Sequence, residues 1–239
     1  MKKLKWIFIW SGLQLLKRGL RYRISNEQGQ WLQAFPKAEL VNRKEFILNY
    51  CRNKSVLHIG FADAPFTKER MDQKLLLHTQ LKTVTSFLYG IDTDAHAVVL
   101  YKTETGDTNA AAVALQDVQD TAALNCELVL AGEVLEHVPD PVAFINTSTN
   151  VIKAGQELLV TVPNYTSLDS IAATLNTTES VHEDHHWYFS PYTLLRKFDK
   201  TQWELKQFAF GVYGDKLPNP VQQQFPATGD CIIAVFKRK

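Results

Sequence analysis

From residue 38 onward, short apolar runs alternate with stretches of helical periodicity, and that alternation confines the chain to a parallel α/β sheet. Helical spacing over 41–51 gathers Val41, Phe46, Ile47 and Tyr50 on one side. A buried strand is predicted over 55–60, then a crossover helix over 67–81 with Met71, Leu75, Leu76 and Leu81 facing inward, then a second strand over 84–91. A weak third strand falls at 112–115, a fourth at 127–131 and a fifth at 157–162, while two late strands at 203–210 and 231–236 close the sheet. Asp140 with Pro141 reads as an N-cap and first-turn pair, opening a helix that passes through Phe144 and Ile145 to about residue 152 and stops at Ala154-Gly155. Ser190-Pro191 opens another through Leu194, Leu195 and Phe198. The expected fold class is therefore α/β, a doubly wound, mostly parallel seven-stranded sheet with helices on both faces. Residues 38–239 form this domain and residues 1–37 a basic, aromatic N-terminal extension.

Chemistry is concentrated where the fourth strand ends. Leu128-Val129-Leu130-Ala131-Gly132 runs directly into Glu133-Val134-Leu135-Glu136-His137, followed by Val138-Pro139-Asp140-Pro141. In an open α/β sheet, ligands bind outside the carboxyl ends of the strands, so two carboxylates and an imidazole at such an end stand where a substrate is met. The rest of the composition excludes more than it selects. A net charge of +1 over 239 residues argues against nucleic acid as a partner, which needs clustered Lys and Arg. Cys51, Cys126 and Cys231 are scattered and odd in number; they offer neither zinc spacing nor a disulfide framework, and they fit a reducing, cytoplasmic setting.

Four segments in order, Val56-Leu57-His58-Ile59-Gly60, Gly90-Ile91-Asp92, Glu133-Val134-Leu135-Glu136-His137 and Leu158-Leu159-Val160-Thr161-Val162-Pro163-Asn164, resemble those of the class I S-adenosylmethionine-dependent methyltransferases. The resemblance covers roughly residues 41–198 and is nearest to the branch whose fourth strand reads Glu-Val-Leu-Glu-His. It implies S-adenosylmethionine as cofactor and a methyl acceptor bearing oxygen or nitrogen. The acceptor expected is a hydroxyl or amine of a small molecule or glycan, with a saccharide or lipid-linked glycan fitting the loop variant and the basic N-terminus; a small metabolite is the alternative.

The loop after the first strand departs from the family. Gly60 is kept, but Ala62 and Ala64 stand where glycines are usual and His58 replaces the acidic residue; Asp63 sits between the two alanines. Alanine disfavours positive φ, so the loop is expected to be reshaped. By resemblance, His58, Gly60, Ala62 and Asp63 border the cofactor and Asp92 accepts the ribose hydroxyls. Asp94 is read as a helix N-cap. Asp117 with the Val118 N–H is placed at the adenine edge, with Asp120, or neither residue, as the alternatives. Ala131 and Gly132 allow close approach, and Glu133 is placed at the methionine ammonium. His137, whose side-chain type titrates near neutrality, is the candidate catalytic base, and Glu136 is left to structure.

A second polar cluster, His182-Glu183-Asp184-His185-His186-Trp187-Tyr188-Phe189-Ser190, follows the fifth strand. Imidazoles and carboxylates invite a metal, but neighbours within one loop seldom converge on an ion without a partner elsewhere, so no metal is assigned. The family pattern instead implies a lid, with His185, His186 and Tyr188 facing substrate. Near the start, Trp6 and Trp10 lie in an apolar run flanked by Lys2, Lys3, Lys5, Lys17, Arg18, Arg21 and Arg23. The run is shorter than the roughly 20 residues of a spanning helix. Residues 1–23 suit either a peripheral helix on an anionic membrane surface or one packed on the domain. A nicotinamide-dependent oxidoreductase would need a fuller glycine loop, and a hydrolase a Gly-x-Ser-x-Gly elbow. A non-catalytic binding protein on the same fold is the remaining rival.

Overall fold

The computed structural model describes residues 34–214 and 218–239; the readings made for residues 1–23, and most of the extension at 1–37, lie outside them. The described chain forms one eight-stranded mixed sheet. Its strands are β1 (Glu39–Asn42), β2 (Ser55–Ile59), β3 (Phe87–Asp92), β4 (Ala110–Ala112), β5 (Leu128–Gly132), β6 (Glu157–Pro163), β7 (Trp203–Val212) and β8 (Cys231–Arg238), in the spatial order β1-β7-β8-β6-β5-β2-β3-β4. Strands β6, β5, β2, β3 and β4 run parallel, β8 is antiparallel to both β6 and β7, and β1 joins β7 in parallel. The α/β class holds, with one strand more than the seven expected: residues 39–42 extend the sheet edge instead of opening the first helix.

Helices α1 (Arg43–Cys51), α2 (Thr67–Asp72), α3 (Leu77–Leu81), α4 (Ala95–Thr105), α5 (Thr121–Leu124), α6 (Pro141–Val151), α7 (Leu168–Leu175), α8 (Pro191–Leu195) and α9 (Pro220–Gln224) connect the strands. Alternation along the central strands shows why both faces are covered. In β5, Val129 and Ala131 join a core cluster with Ile145, Leu194 and Phe198, whereas Leu128 and Leu130 join Ile47, Cys51 and Leu81 on the opposite face. A parallel strand buried on both sides reads as a continuous apolar run, which is how β5 and β6 look in the sequence.

The single crossover helix expected over 67–81 is two short ones. Lys74 takes a left-handed conformation, φ 58°, between α2 and α3, which turns Leu75 outward while Leu76 and Leu81 remain buried. The third strand lies slightly earlier than expected, at Ala110–Ala112, and β3 begins at Phe87 because residues 82–85 turn back onto α3. Two caps form as expected. Asp94 Oδ1 accepts from Ala97 N at 2.9 Å, and Asp140 Oδ1 accepts from the N–H groups of Val142 and Ala143 with Pro141 in the first turn.

Candidate active site

The carboxyl ends of β2, β3 and β5 converge on one edge of the sheet. Gly60 follows β2 with φ +69°, and its N–H donates to Ile91 O at 2.8 Å, stitching the first loop to the end of β3. A Cβ at this position would meet Val134 at 2.9 Å in addition to the strain of left-handed backbone, so the turn needs glycine. Phe61 dives inward and packs its ring on His78 and Tyr101, centroids 4.5 and 5.0 Å away. Ala62 is fully buried, and its N–H donates to Asp92 Oδ2 at 3.0 Å. The other Asp92 oxygen accepts from Asp94 N at 3.0 Å. Asp92 is thus a strut between the reshaped loop and β3, and each of its oxygens keeps a lone pair for a ligand hydroxyl. Asp63 is exposed in left-handed backbone, φ 54°, with its carboxylate paired to Arg70 at 3.2 Å.

Besides Ala62, three more residues assigned to the cofactor are buried. His58, 3% exposed, turns into the core, where its Nδ1 lies 3.2 Å from Nδ1 of His78. Burial, then the neighbouring His78 and Arg43, hold its pKa well below the ordinary imidazole value, and His78 is pushed down to about 3 chiefly by burial. Both rings are neutral, one donating to the other. Ala131 is fully buried in the sheet core, so its methyl lines nothing outside. Val118 is also buried, and its N–H is turned back to Leu115 O at 3.4 Å. Asp117 ends the short 3-10 turn Leu115–Asp117 with an exposed side chain, whereas Asp120 caps α5 through Ala123 N. Asp117 therefore stands as the adenine-edge candidate of the two.

Glu133 reaches the end of β5, but with its carboxylate already engaged. Oε1 accepts from Thr161 Oγ1 at 2.7 Å and lies 3.3 Å from Arg43 Nε, while Oε2 accepts from the Tyr213 hydroxyl. Arg43 is the first residue of α1, where a cation opposes the helix dipole, and the Glu133 pair offsets that cost. Burial is the largest influence and by itself would lower the Arg43 pKa, but the charge of Glu133 together with Cys231, Tyr213 and Glu136 outweighs it and the guanidinium is held above its usual value. For Tyr213, burial of the hydroxyl and the Glu133 charge act together and push the pKa well upward. Gly132 lies beside this pair: an added Cβ would stand 2.9 Å from Arg43 Nη2 and would displace the end of that side chain. The carboxylate expected at a cofactor ammonium is thus also part of an internal ion pair. Local sequence carries no signal for Arg43 or Tyr213, which lie 90 and 80 residues from Glu133 along the chain.

Beyond Glu133, itself in left-handed backbone at φ 56°, residues 135–137 form a turn. Glu136 is fully buried, and neither carboxylate oxygen has a hydrogen-bond partner among the described residues. Burial, followed by the nearby Glu133 charge, raises its pKa well above the usual carboxylate value. His137 is exposed beside it. The loop expected to act as a lid lies over this turn: His186 N donates to Glu136 O at 2.8 Å, Trp187 Nε1 to Pro139 O at 3.2 Å, and Tyr165 N to Phe189 O at 2.9 Å. His185 is thereby set edge-to-face against His137, centroids 4.7 Å apart. Its pKa is lowered, first by partial burial and then by His137 and His182. Tyr188 is exposed beside Tyr165, ring centroids 5.1 Å apart, and His186 points its side chain to solvent.

A family model described as a methyltransferase domain matches residues 48–207. The chain belongs to this family. The match spans the methyltransferase from α1 into β7, taking in the loop after β2, Asp92, the β5 end and the 182–190 loop. No curated protein matches it significantly. Solved structures that share the fold include an S-adenosylmethionine-dependent methyltransferase from Clostridium acetobutylicum, with 8% identity over 81% of this chain and 89% of that one at a TM-score of 0.50. A candidate methyltransferase from Bacillus halodurans shares 11% identity over 82% of this chain and 98% of the other, TM-score 0.53. A candidate S-adenosylmethionine-dependent enzyme from Listeria monocytogenes gives 11%, 82%, 96% and 0.53 for the same quantities.

The residues present suit the class's methyl donor, S-adenosylmethionine, at its nucleoside end. Asp92 offers free lone pairs at the end of β3, Gly60 keeps the turn open beside it, and Asp117 is exposed at the neighbouring strand end. At the methionine end Glu133 stands at the end of β5 with its charge paired to Arg43, and its Oε2 keeps a lone pair beyond the bond from Tyr213.

Proposed function

We propose that the chain transfers the methyl group of S-adenosylmethionine to a hydroxyl or amine of a saccharide or lipid-linked glycan. The donor supplies a sulfonium-bound methyl carbon open to attack by the acceptor's oxygen or nitrogen. Alignment of nucleophile, methyl and sulfur provides most of the acceleration, so the work of the protein is positioning. Asp92 and Gly60 hold the nucleoside side, and the Glu133–Arg43–Thr161–Tyr213 cluster rigidifies the end of β5 that faces it. His137, exposed at the turn and edge-on to His185, collects the proton that an acceptor hydroxyl releases.

One observation supports a polyhydroxylated acceptor. Tyr165 and Tyr188 form an exposed aromatic corner over a cleft also lined by Ser170, Thr174, Thr178, Glu179 and Ser180. Aromatic faces beside hydroxyl and carboxylate side chains suit a sugar ring, with an apolar face and a polar edge. The test is mass spectrometry of candidate acceptors after incubation with isotopically labelled S-adenosylmethionine. Label in a glycan, reduced at least about tenfold by Tyr188→Ala at one subsaturating acceptor concentration, is the expected result. Label only in non-saccharide metabolites would contradict the acceptor, and absence of transfer to any acceptor, with donor bound, would favour the binding-protein reading.

A further inference from the structure

We propose that Glu136, His137 and His185 form a binding site for one divalent transition-metal ion at the mouth of the active site. A ligand atom from each of the three lies within 4.8 Å of those of the other two, a spacing that a bound cation would bridge. The 182–190 loop could not supply such a site alone, since neighbouring residues rarely converge. The fold provides the missing partners by hydrogen-bonding that loop to the Glu136–Pro139 turn, through the His186 and Trp187 bonds described above.

Glu136 points independently to a ligand. Its carboxylate is fully buried, lacks a hydrogen-bond partner among the described residues and is aimed into the cluster. A buried polar group with no partner is destabilising, and a coordinated cation removes that cost. The burial is graded across the three residues, from buried Glu136 through half-buried His185 to exposed His137, so one side of the site opens to solvent and to an incoming acceptor. Two imidazoles and one carboxylate favour zinc or iron(II) over magnesium or calcium, which prefer all-oxygen sets; Mn2+ serves below as a paramagnetic probe of the site. An ion here occupies the lone pair that His137 would otherwise offer, so the proton-accepting role proposed above belongs to the ion-free chain. The site itself rests on geometry and not on the acceptor's identity.

The full-length chain, untagged and stripped of metal by chelation, is titrated with Mn2+ and followed by electron paramagnetic resonance, with Zn2+ as competitor and Mg2+ as comparison. Expected are one Mn2+ per chain, displacement by Zn2+ but not by equimolar Mg2+, and nitrogen modulation of the bound signal from imidazole. Glu136→Gln and His185→Ala should each weaken binding by at least about tenfold, His185→Ala with reduced nitrogen modulation, while His96→Ala on α4 leaves both unchanged. Circular dichroism checks that each variant is folded. Absence of bound Mn2+ and Zn2+, or affinity unchanged in both ligand variants, overturns the proposal. S-adenosylmethionine binding is measured on the same samples, so a chain that binds donor without metal loses this site and keeps the functional reading.

Discussion

Glu133 brings together backbone strain, burial and charge at a single residue. Its left-handed backbone costs roughly 1–3 kcal/mol, and the Arg43, Thr161 and Tyr213 contacts that hold it are what the surrounding fold supplies in return. Glu133→Gln leaves Arg43, with 17% of its side chain exposed, without a counter-ion, and urea unfolding should show a loss of about 1–3 kcal/mol. Adding Arg43→Met should recover part of that loss, because the buried guanidinium is then gone as well. His58 and His78 make a second prediction. Their folded pKa values lie below the usual 6.5, so below that pH the unfolded chain binds more protons than the folded one and stability falls as pH drops towards 3. A His58→Val/His78→Leu variant should show a shallower loss of unfolding free energy over that window than the parent. At this scale the sequence displayed the chemistry of Glu133, Glu136, His137 and Asp92 but not their partners. Arg43, Thr161 and Tyr213 reach Glu133 only through the tertiary fold, and His58 was placed at the cofactor because it stands where the family carries an acidic residue, whereas its partner His78, 20 residues on, draws the ring into the core.

Among the elements, the segments most readable in the sequence were those whose signal is local. Asp140-Pro141 carries its own capping chemistry, so α6 starts where the pattern places it, directly after the turn that holds Glu136 and His137. Asp140→Ala should lower stability by about 1 kcal/mol in thermal unfolding. The break between α2 and α3 was invisible because Gln73, Lys74 and Leu75 are all acceptable helix formers; packing of Leu76 and Leu81 overrides their propensity. Lys74→Gly should stabilise the protein by up to about 1 kcal/mol, since glycine takes the left-handed conformation without a Cβ clash. Strand β1 was missed for a related reason: four residues carry little periodicity, and its partner β7 lies about 170 residues away.

At the level of the whole molecule, the sheet gathers its functional groups at one end, where the loop after β2, Asp92, the β5 turn and the 182–190 loop meet. The fold class was legible because the central parallel strands β2, β5 and β6, buried on both faces, announce themselves as apolar runs between helices, whereas the short edge strand β4 gave only a weak and displaced signal. The site was legible only in part, because three of its hydrogen-bonded links, Asp92 to Ala62, Glu133 to Thr161 and Glu136 to His186, join segments 28 to 50 residues apart. Asp92 is where the loop and the sheet come together, at the proposed donor site. Asn at this position would set an amide N–H against the N–H of Ala62 or Asp94, so Asp92→Asn should disturb the loop and the ribose contact together. The most direct test is calorimetric titration of S-adenosylmethionine into the parent chain and Asp92→Asn. Binding of one equivalent by the parent, weakened at least about tenfold by the substitution, is the expected result; no heat from the parent, or equal affinity in both, would contradict a donor site at the end of β3.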